Sequence, residues 1–258
     1  MAKVDSYKEI LKKLPEWDSY LLAESGLPGP RGNLELLEAV SEVGSEALFK
    51  RYLTFDPEKA PTGTAEEFIA VCGVVGLGQL IKQGQTDYLP CLRSFAQDPR
   101  WRVREGVAIA LQIVGSWNMK FLLHEMDVWS RGDFLEKRAV AAAVCEPKLL
   151  KDRETVSGVL NLLDRITEDL LHAANRKDDN FKVLRKTLGY GWSVAVVAGP
   201  EKGKALLEKW FSHEDKDIRW IMKENLRKDR LSRMDKEWTG QWRQVLGVGE
   251  KKSLSKAK

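Results

Sequence analysis

Four cations near the C-terminal end recur at helical spacing: Arg219, Lys223, Arg227 and Arg230 follow one another at steps of four, four and three residues. If one helix continues through Lys228, this spacing gathers them into a single stripe. Ile218, Met222 and Leu226 form the neighbouring apolar row, so the helix can pack while the stripe faces outward. Such a stripe suits phosphate oxygens, which it would bind with affinity but no sequence readout, and with strong salt dependence. In the competing reading, Glu224, Asp229 and acids of adjoining helices neutralise the charge and leave an ordinary solvated face. The formal charge of the whole chain is only +4, yet residues 216–236 set eight basic side chains against four acidic ones. Basic character is concentrated at this end, and the Lys-rich segment after Gly247 extends it.

Other chemistries are less well served. His124, His172 and His213 lie far apart and follow no metal-ligand spacing, so neither a metal nor a cofactor is expected. Gly73, Gly76 and Gly78 lack the spacing and the Gly-Lys-Ser/Thr of a phosphate loop, which leaves close helix packing as their expected role. Cys72, Cys91 and Cys145 are odd in number and sit in apolar stretches, as buried reduced thiols do. The N-terminus has no apolar signal core, and no apolar run reaches the ~18 residues of a membrane span. A cytoplasmic protein with no membrane contact is expected.

The elements that must position these residues are helices throughout. Apolar residues recur at three- and four-residue spacing along nearly the whole chain, and sustained strand-like alternation is missing. Helices are expected at 6–14, 16–24, 34–53, 64–82, 86–96, 99–114 and 118–129. In the second half they are expected at 133–145, 152–174, 180–198, 200–211, 215–227 and 235–246. Asn33 should cap the third, and Asp98 with Pro99 should cap and open the helix at 99–114. Trp192, Trp210 and Trp220 read as core, and Trp238 with Trp242 as a closing helix docking on its neighbour.

Within these helices one pattern returns four times, an apolar or basic residue followed by Arg: Val103-Arg104, Lys137-Arg138, Leu184-Arg185 and Ile218-Arg219. The arginines are 34, 47 and 34 residues apart, the period of a helical-hairpin repeat. A hairpin cannot bury its apolar face alone, so neighbours stack into a continuous core. The expected architecture is all-α: a right-handed, armadillo-like α-solenoid of about six HEAT-like hairpins over residues 1–247, with 248–258 a basic, disordered tail. Its concave groove would be lined by Arg104, Arg138, Arg185 and Arg219, candidate nucleic-acid contacts together with Lys223, Arg227 and Arg230; the structural alternative for the repeating arginines is pairing with acids of neighbouring repeats.

The segment DPRWRVREGVAIALQIVG resembles a HEAT repeat. A narrower resemblance lies in FKVLRKTLGYGWSVAVVAGPEKG and EMDVWSRGDFLEKRAVAAAV, which are similar to segments of the AlkD-like DNA alkylation-repair glycosylases. It covers roughly residues 98–230. In that family a Trp and an Asp sit four residues apart on one helix, and a second Trp lies in the later Gly-aromatic segment. The matching positions here are Trp101, Glu105 and Tyr190, so two of the three side chains are altered. The resemblance implies non-sequence-specific DNA binding by a monomer and release of alkylated purines. Glu105 would stabilise a developing oxocarbenium ion, with Trp101 and Tyr190 packing around lesion and sugar. Glu for Asp adds a methylene, and ~1 Å of misplacement can cost ~10²-fold in rate. The alternative is a non-catalytic scaffold that binds a protein segment in its groove, with Trp101 and Tyr190 as packing residues and Glu105 paired to Arg102 or Arg138.

Overall fold

The structure, a computed structural model, describes residues 3–249. The lysines of the expected C-terminal tail, at 251–258, lie outside the described residues. Among the described residues the regular elements are fifteen α-helices and two single 3-10 turns, with no strand. The chain is all-α, and no described helix is long and apolar enough to cross a membrane. Contacts divide it into two compact units, one up to Leu122 and one from Leu123.

The first unit holds α1 (Lys3–Leu11), α2 (Asp18–Glu24), α3 (Leu34–Val43), α4 (Glu46–Tyr52), α5 (Ala65–Lys82), α6 (Leu89–Ser94) and α7 (Trp101–Trp117). The boundary falls within α8 (Met119–Trp129). α5 is apolar on all sides, AEEFIAVCGVVGLGQLIK, and is therefore buried along nearly its whole length. α1 packs on α3, α3 on α5 and α5 on α7, so alternate helices run in series. Glycines allow the close approaches: a Cβ on Gly76 would lie 2.3 Å from the Phe49 ring, and one on Gly78 would lie 2.6 Å from the Ala110 carbonyl oxygen. The packing role expected of Gly73, Gly76 and Gly78 is the one they have, since Gly73 likewise meets the Tyr52–Leu53 backbone.

The second unit continues with α9 (Phe134–Val144), α10 (Arg153–Leu171), α11 (Asp179–Ala198), α12 (Pro200–Phe211), α13 (Lys216–Leu226), α14 (Asp229–Met234) and α15 (Lys236–Leu246). Here α11 is the buried centre; α9, α10, α12 and α13 pack on it, and α13 packs on α15. Asp133, Asp152, Asp178, Asp215 and Asp235 each cap a helix by accepting backbone N–H bonds, and Asp133 completes a capping box with Glu136. Trp238 and Trp242 dock α15 on Phe211 of α12, with ring centroids 5.7 and 4.8 Å away. Trp192 and Trp210 are core, whereas Trp220 is only partly buried.

Three local expectations are corrected. The single helix expected over 34–53 is two, because Gly44 is extended (φ −71°, ψ 156°) and Ser45 caps a new helix by accepting from Leu48 N–H. Asp98 does not cap α7; the capping position is Arg100, and Asp98 is instead its buried ion-pair partner. The helix expected to carry the basic stripe through Lys228 ends at Leu226, since Lys228 is extended (φ −81°, ψ 123°) and α14 starts anew with an acid in its first turn.

Candidate functional site

The first turns of α7 stand on a rigid anchor. Arg100 is 2% exposed and binds Asp98 in two-pronged fashion, Nε to Oδ1 at 2.9 Å and Nη2 to Oδ2 at 2.7 Å. Its remaining guanidinium nitrogen donates to the carbonyls of Phe55 and Ala60, at 2.8 and 3.1 Å, which ties the loop before α5 to the start of α7. Facing this turn is the segment from Ser25 to Asn33, held by hydrogen bonds of its own. Ser25 Oγ donates to the Leu22 carbonyl and accepts from Leu27 N–H, while Asn33 Nδ2 donates to Tyr7 Oη and the Glu24 carbonyl, each at 2.9 Å. Gly26 sits in the left-handed region, φ 74°, where a side chain would strain the turn.

Between these elements lies a cleft of about 260 Å³. Leu27, Pro30 and Leu34 form one side, Phe68 and Val71 of α5 form the floor with Gly106, and Trp101, Arg102 and Glu105 of α7 form the other side. Most of the lining is apolar. Trp101 is 46% exposed, and the Arg102 guanidinium stacks over its ring with the carbon 4.3 Å from the centroid. Arg102 also donates to the Gly29 carbonyl at 2.8 Å and pairs with Glu67 Oε2 at 3.2 Å. Glu67 is wholly buried, and its Oε2 accepts from Gly63 N–H at 2.8 Å. Two atoms of this pair, Glu67 Oε1 and Arg102 Nε, are buried with no hydrogen-bond partner among the described residues. The guanidinium is thereby held against the Trp101 indole, with its Nε–H enclosed by the protein.

Trp101 and Glu105 therefore share one helix face and one cleft, as i and i+4 positions should. Tyr190 belongs to the second unit, half-buried on α11 with its carbonyl accepting from Ser193 Oγ at 2.7 Å. The four repeat arginines have different surroundings. Arg104 folds back onto the Pro99 carbonyl at 2.9 Å; Arg138 is 6% exposed within α9. Arg185 pairs with Asp217 of α13 and stacks 4.6 Å over Trp220. Arg219 and Lys223 lie partly exposed on successive turns of α13 and form no side-chain hydrogen bond or ion pair among the described residues. Arg227 pairs with Glu224, and Arg230 stands on α14, so the expected stripe reduces to its first two members on one helix.

Residues absent from the expected site complete the cleft. Arg102, expected only as an ion-pair partner of Glu105, lies just outside the Val103-Arg104 repeat pattern and is held by Glu67. Glu67 and the 27–34 segment are 34 or more positions before Trp101 in sequence, and nothing local links them to it. Among the cysteines, Cys72 and Cys145 are buried, but Cys91 is partly exposed, contrary to the expectation for all three. Burial pushes the Cys145 thiol up to about 12 and raises Cys72 well above the ordinary range. No protein-family model, curated protein or solved structure matches the chain.

Proposed function

We propose that the chain is a HEAT-like helical-repeat protein, a right-handed α-solenoid of about six hairpins, that binds DNA without sequence specificity and is related to the alkylation-repair glycosylases. The serial packing of alternate helices within each unit supports the repeat architecture. Trp101 and Glu105 carry the functional reading, an exposed indole and a carboxylate one turn apart on the same side of one cleft. In this reading the indole packs against a lesion-bearing nucleotide and Glu105 stabilises positive charge developing on its sugar. Arg219 and Lys223 supply phosphate contacts, with Arg227 and Arg230 adding charge nearby; Arg104, Arg138 and Arg185 serve the fold. The protein acts as a monomer in the cytoplasm and needs no cofactor.

A labelled duplex titrated at several salt concentrations tests the binding. Affinity should fall steeply with salt, by a slope of about −0.9 per phosphate neutralised, and Arg219→Glu with Lys223→Glu should weaken it. Salt-insensitive or absent binding refutes it. Release of N3- or N7-alkylated purine that drops on Glu105→Gln establishes base excision; no release from the wild type restricts the protein to binding.

The apolar lining of the cleft favours a second reading, a scaffold that seats a protein segment. That reading predicts a co-purifying protein that survives nuclease treatment and is lost on Trp101→Ala.

A further inference from the structure

One charge at the edge of the first unit's cleft has no partner. Three charged side chains line the cleft, Arg31, Arg102 and Glu105. Arg102 is neutralised by Glu67, and Glu105 is engaged by other groups of the protein. The Arg31 side chain is exposed and makes no hydrogen bond or ion pair among the described residues. It stands on a fixed loop, because Asn33 N–H donates to the Ser25 carbonyl at 2.8 Å and closes the segment between them. The rest of the lining is predominantly apolar, with Leu27, Leu34, Leu37, Phe68, Val71 and Ile109. Leu34 is 41% exposed, and taking it out of water favours an apolar occupant. The volume, about 260 Å³, lies below the roughly 300–1,000 Å³ of sites for drug-sized ligands, so that occupant is small. An apolar cleft with one unmet guanidinium at its edge is complementary to a short apolar body that ends in an anion.

We propose that this cleft binds a small apolar carboxylic acid, its short acyl chain seated against the aliphatic lining and its carboxylate paired with Arg31. Neither nucleic-acid binding nor base excision is required for this, and neither would account for it.

Calorimetric titration of the full chain with octanoate and with octan-1-ol tests it, since the two share a chain length and differ in charge. Octanoate should bind about 3–5-fold tighter than octanol at low salt, as an exposed ion pair allows, and the preference should shrink as salt rises. Each methylene added between butanoate and octanoate should tighten binding by up to about 4-fold while the chain still enters the cleft. Arg31→Gln removes a side chain that has no partner to lose, so it should fold normally, bring octanoate down to the affinity of octanol and leave octanol unchanged. Leu34→Asp puts an acid in the first turn of α3, where the helix N-terminus accommodates it, and should weaken both ligands, octanoate by about 10-fold. Equal affinity for octanoate and octanol in the native protein, or a preference that Arg31→Gln leaves intact, overturns the carboxylate assignment. No octanoate binding at millimolar concentration, or binding that Leu34→Asp leaves unchanged, overturns the site. Octanoate binding that follows the expected pattern in a protein with no duplex affinity upholds the site and refutes only the DNA reading.

Discussion

Gly78→Ala tests whether the α5–α7 contact sets the position of the cleft, because these helices make the most extensive contact of any pair in the chain. A Cβ on Gly78 would lie 2.6 Å from the carbonyl oxygen of Ala110, 2.7 Å from its Cα and 3.0 Å from its carbonyl carbon. All three are backbone atoms of α7, so no rotamer change relieves the clash, and ordinary contact near 3.4 Å requires the helices to part by about 0.8 Å. A radial gap of that size forfeits roughly a quarter to a half of the dispersion well for each facing pair. Val74, Val75, Val107, Leu111 and Val114, all 0% exposed, are helix residues whose packing would loosen. Against this, alanine recovers up to about 1 kcal/mol of helix propensity. The net expectation is a loss of about 2 kcal/mol, from an overpacking cost of roughly 1–3 kcal/mol plus loosened packing. Gly240→Ala is the control: it lies within α15, nothing is within 4 Å of its added Cβ, and it should stabilise by about 0.5–1 kcal/mol. Urea unfolding followed by circular dichroism reads both, with the slope checked for constancy. If Gly78→Ala is as stable as the wild type, or if both substitutions shift stability in the same direction, the close-approach reasoning fails.

Asp217 is 3% exposed and accepts from both Arg176 and Arg185, so Asp217→Ala should destabilise by about 3 kcal/mol in thermal or urea unfolding; a loss under 1 kcal/mol would mean that the pairs are solvent-screened. The Asp18 carboxylate is held below its usual range by hydrogen bonds from Arg51 and, against the opposing cost of burial, from Tyr52. Its stabilisation is therefore fully present above the unfolded value near 3.9 and is lost as pH falls through the lower folded value. Asp18→Asn should cost about 1 kcal/mol at pH 7, a difference that shrinks as pH drops below about 4; a difference unchanged at pH 2 refutes the pairing. A chromogenic disulfide should label Cys91 in the native protein and reach Cys72 and Cys145 only in denaturant, because burial raises both thiols and blocks access. Rapid native labelling of all three would contradict the packing around α5 and α9.

Helix identity was legible wherever local chemistry was decisive. Asp152, Asp178, Asp215 and Asp235 are short-range caps, and each marks a helix start within a residue or so of the expected place. The errors occurred where two signals competed. Gly44-Ser45 is compatible with a continuous apolar period, yet the capping serine beside a glycine wins and breaks the helix. Arg227-Lys228 has good helix formers, but α13 ends where the fully buried Asn225 is drawn sideways, donating to the Leu188 carbonyl at 2.8 Å and accepting from Ser193 N–H at 2.8 Å. No propensity or period encodes that contact, because its partners lie more than 30 residues away.

The same distinction separates the repeat arginines from the cleft. A pattern that recurs with the helical-hairpin period marks a need shared by each repeat, and Arg185 meets that need by joining α11 to α13 through Asp217 and Trp220. Function requires asymmetry, which a period cannot carry. Arg102 is such an asymmetry: one residue before the repeat pair, it turns to the Gly29 carbonyl, the buried Glu67 and the Trp101 face together. A buried ion pair with two unmet hydrogen-bonding atoms is a poor device for stability alone, since an apolar pair of similar volume would hold α5 to α7 at least as well. Its place is set instead by what it joins, the 27–34 segment, α5 and α7 at one point of the cleft wall, whereas Arg185 joins only neighbouring helices of its unit.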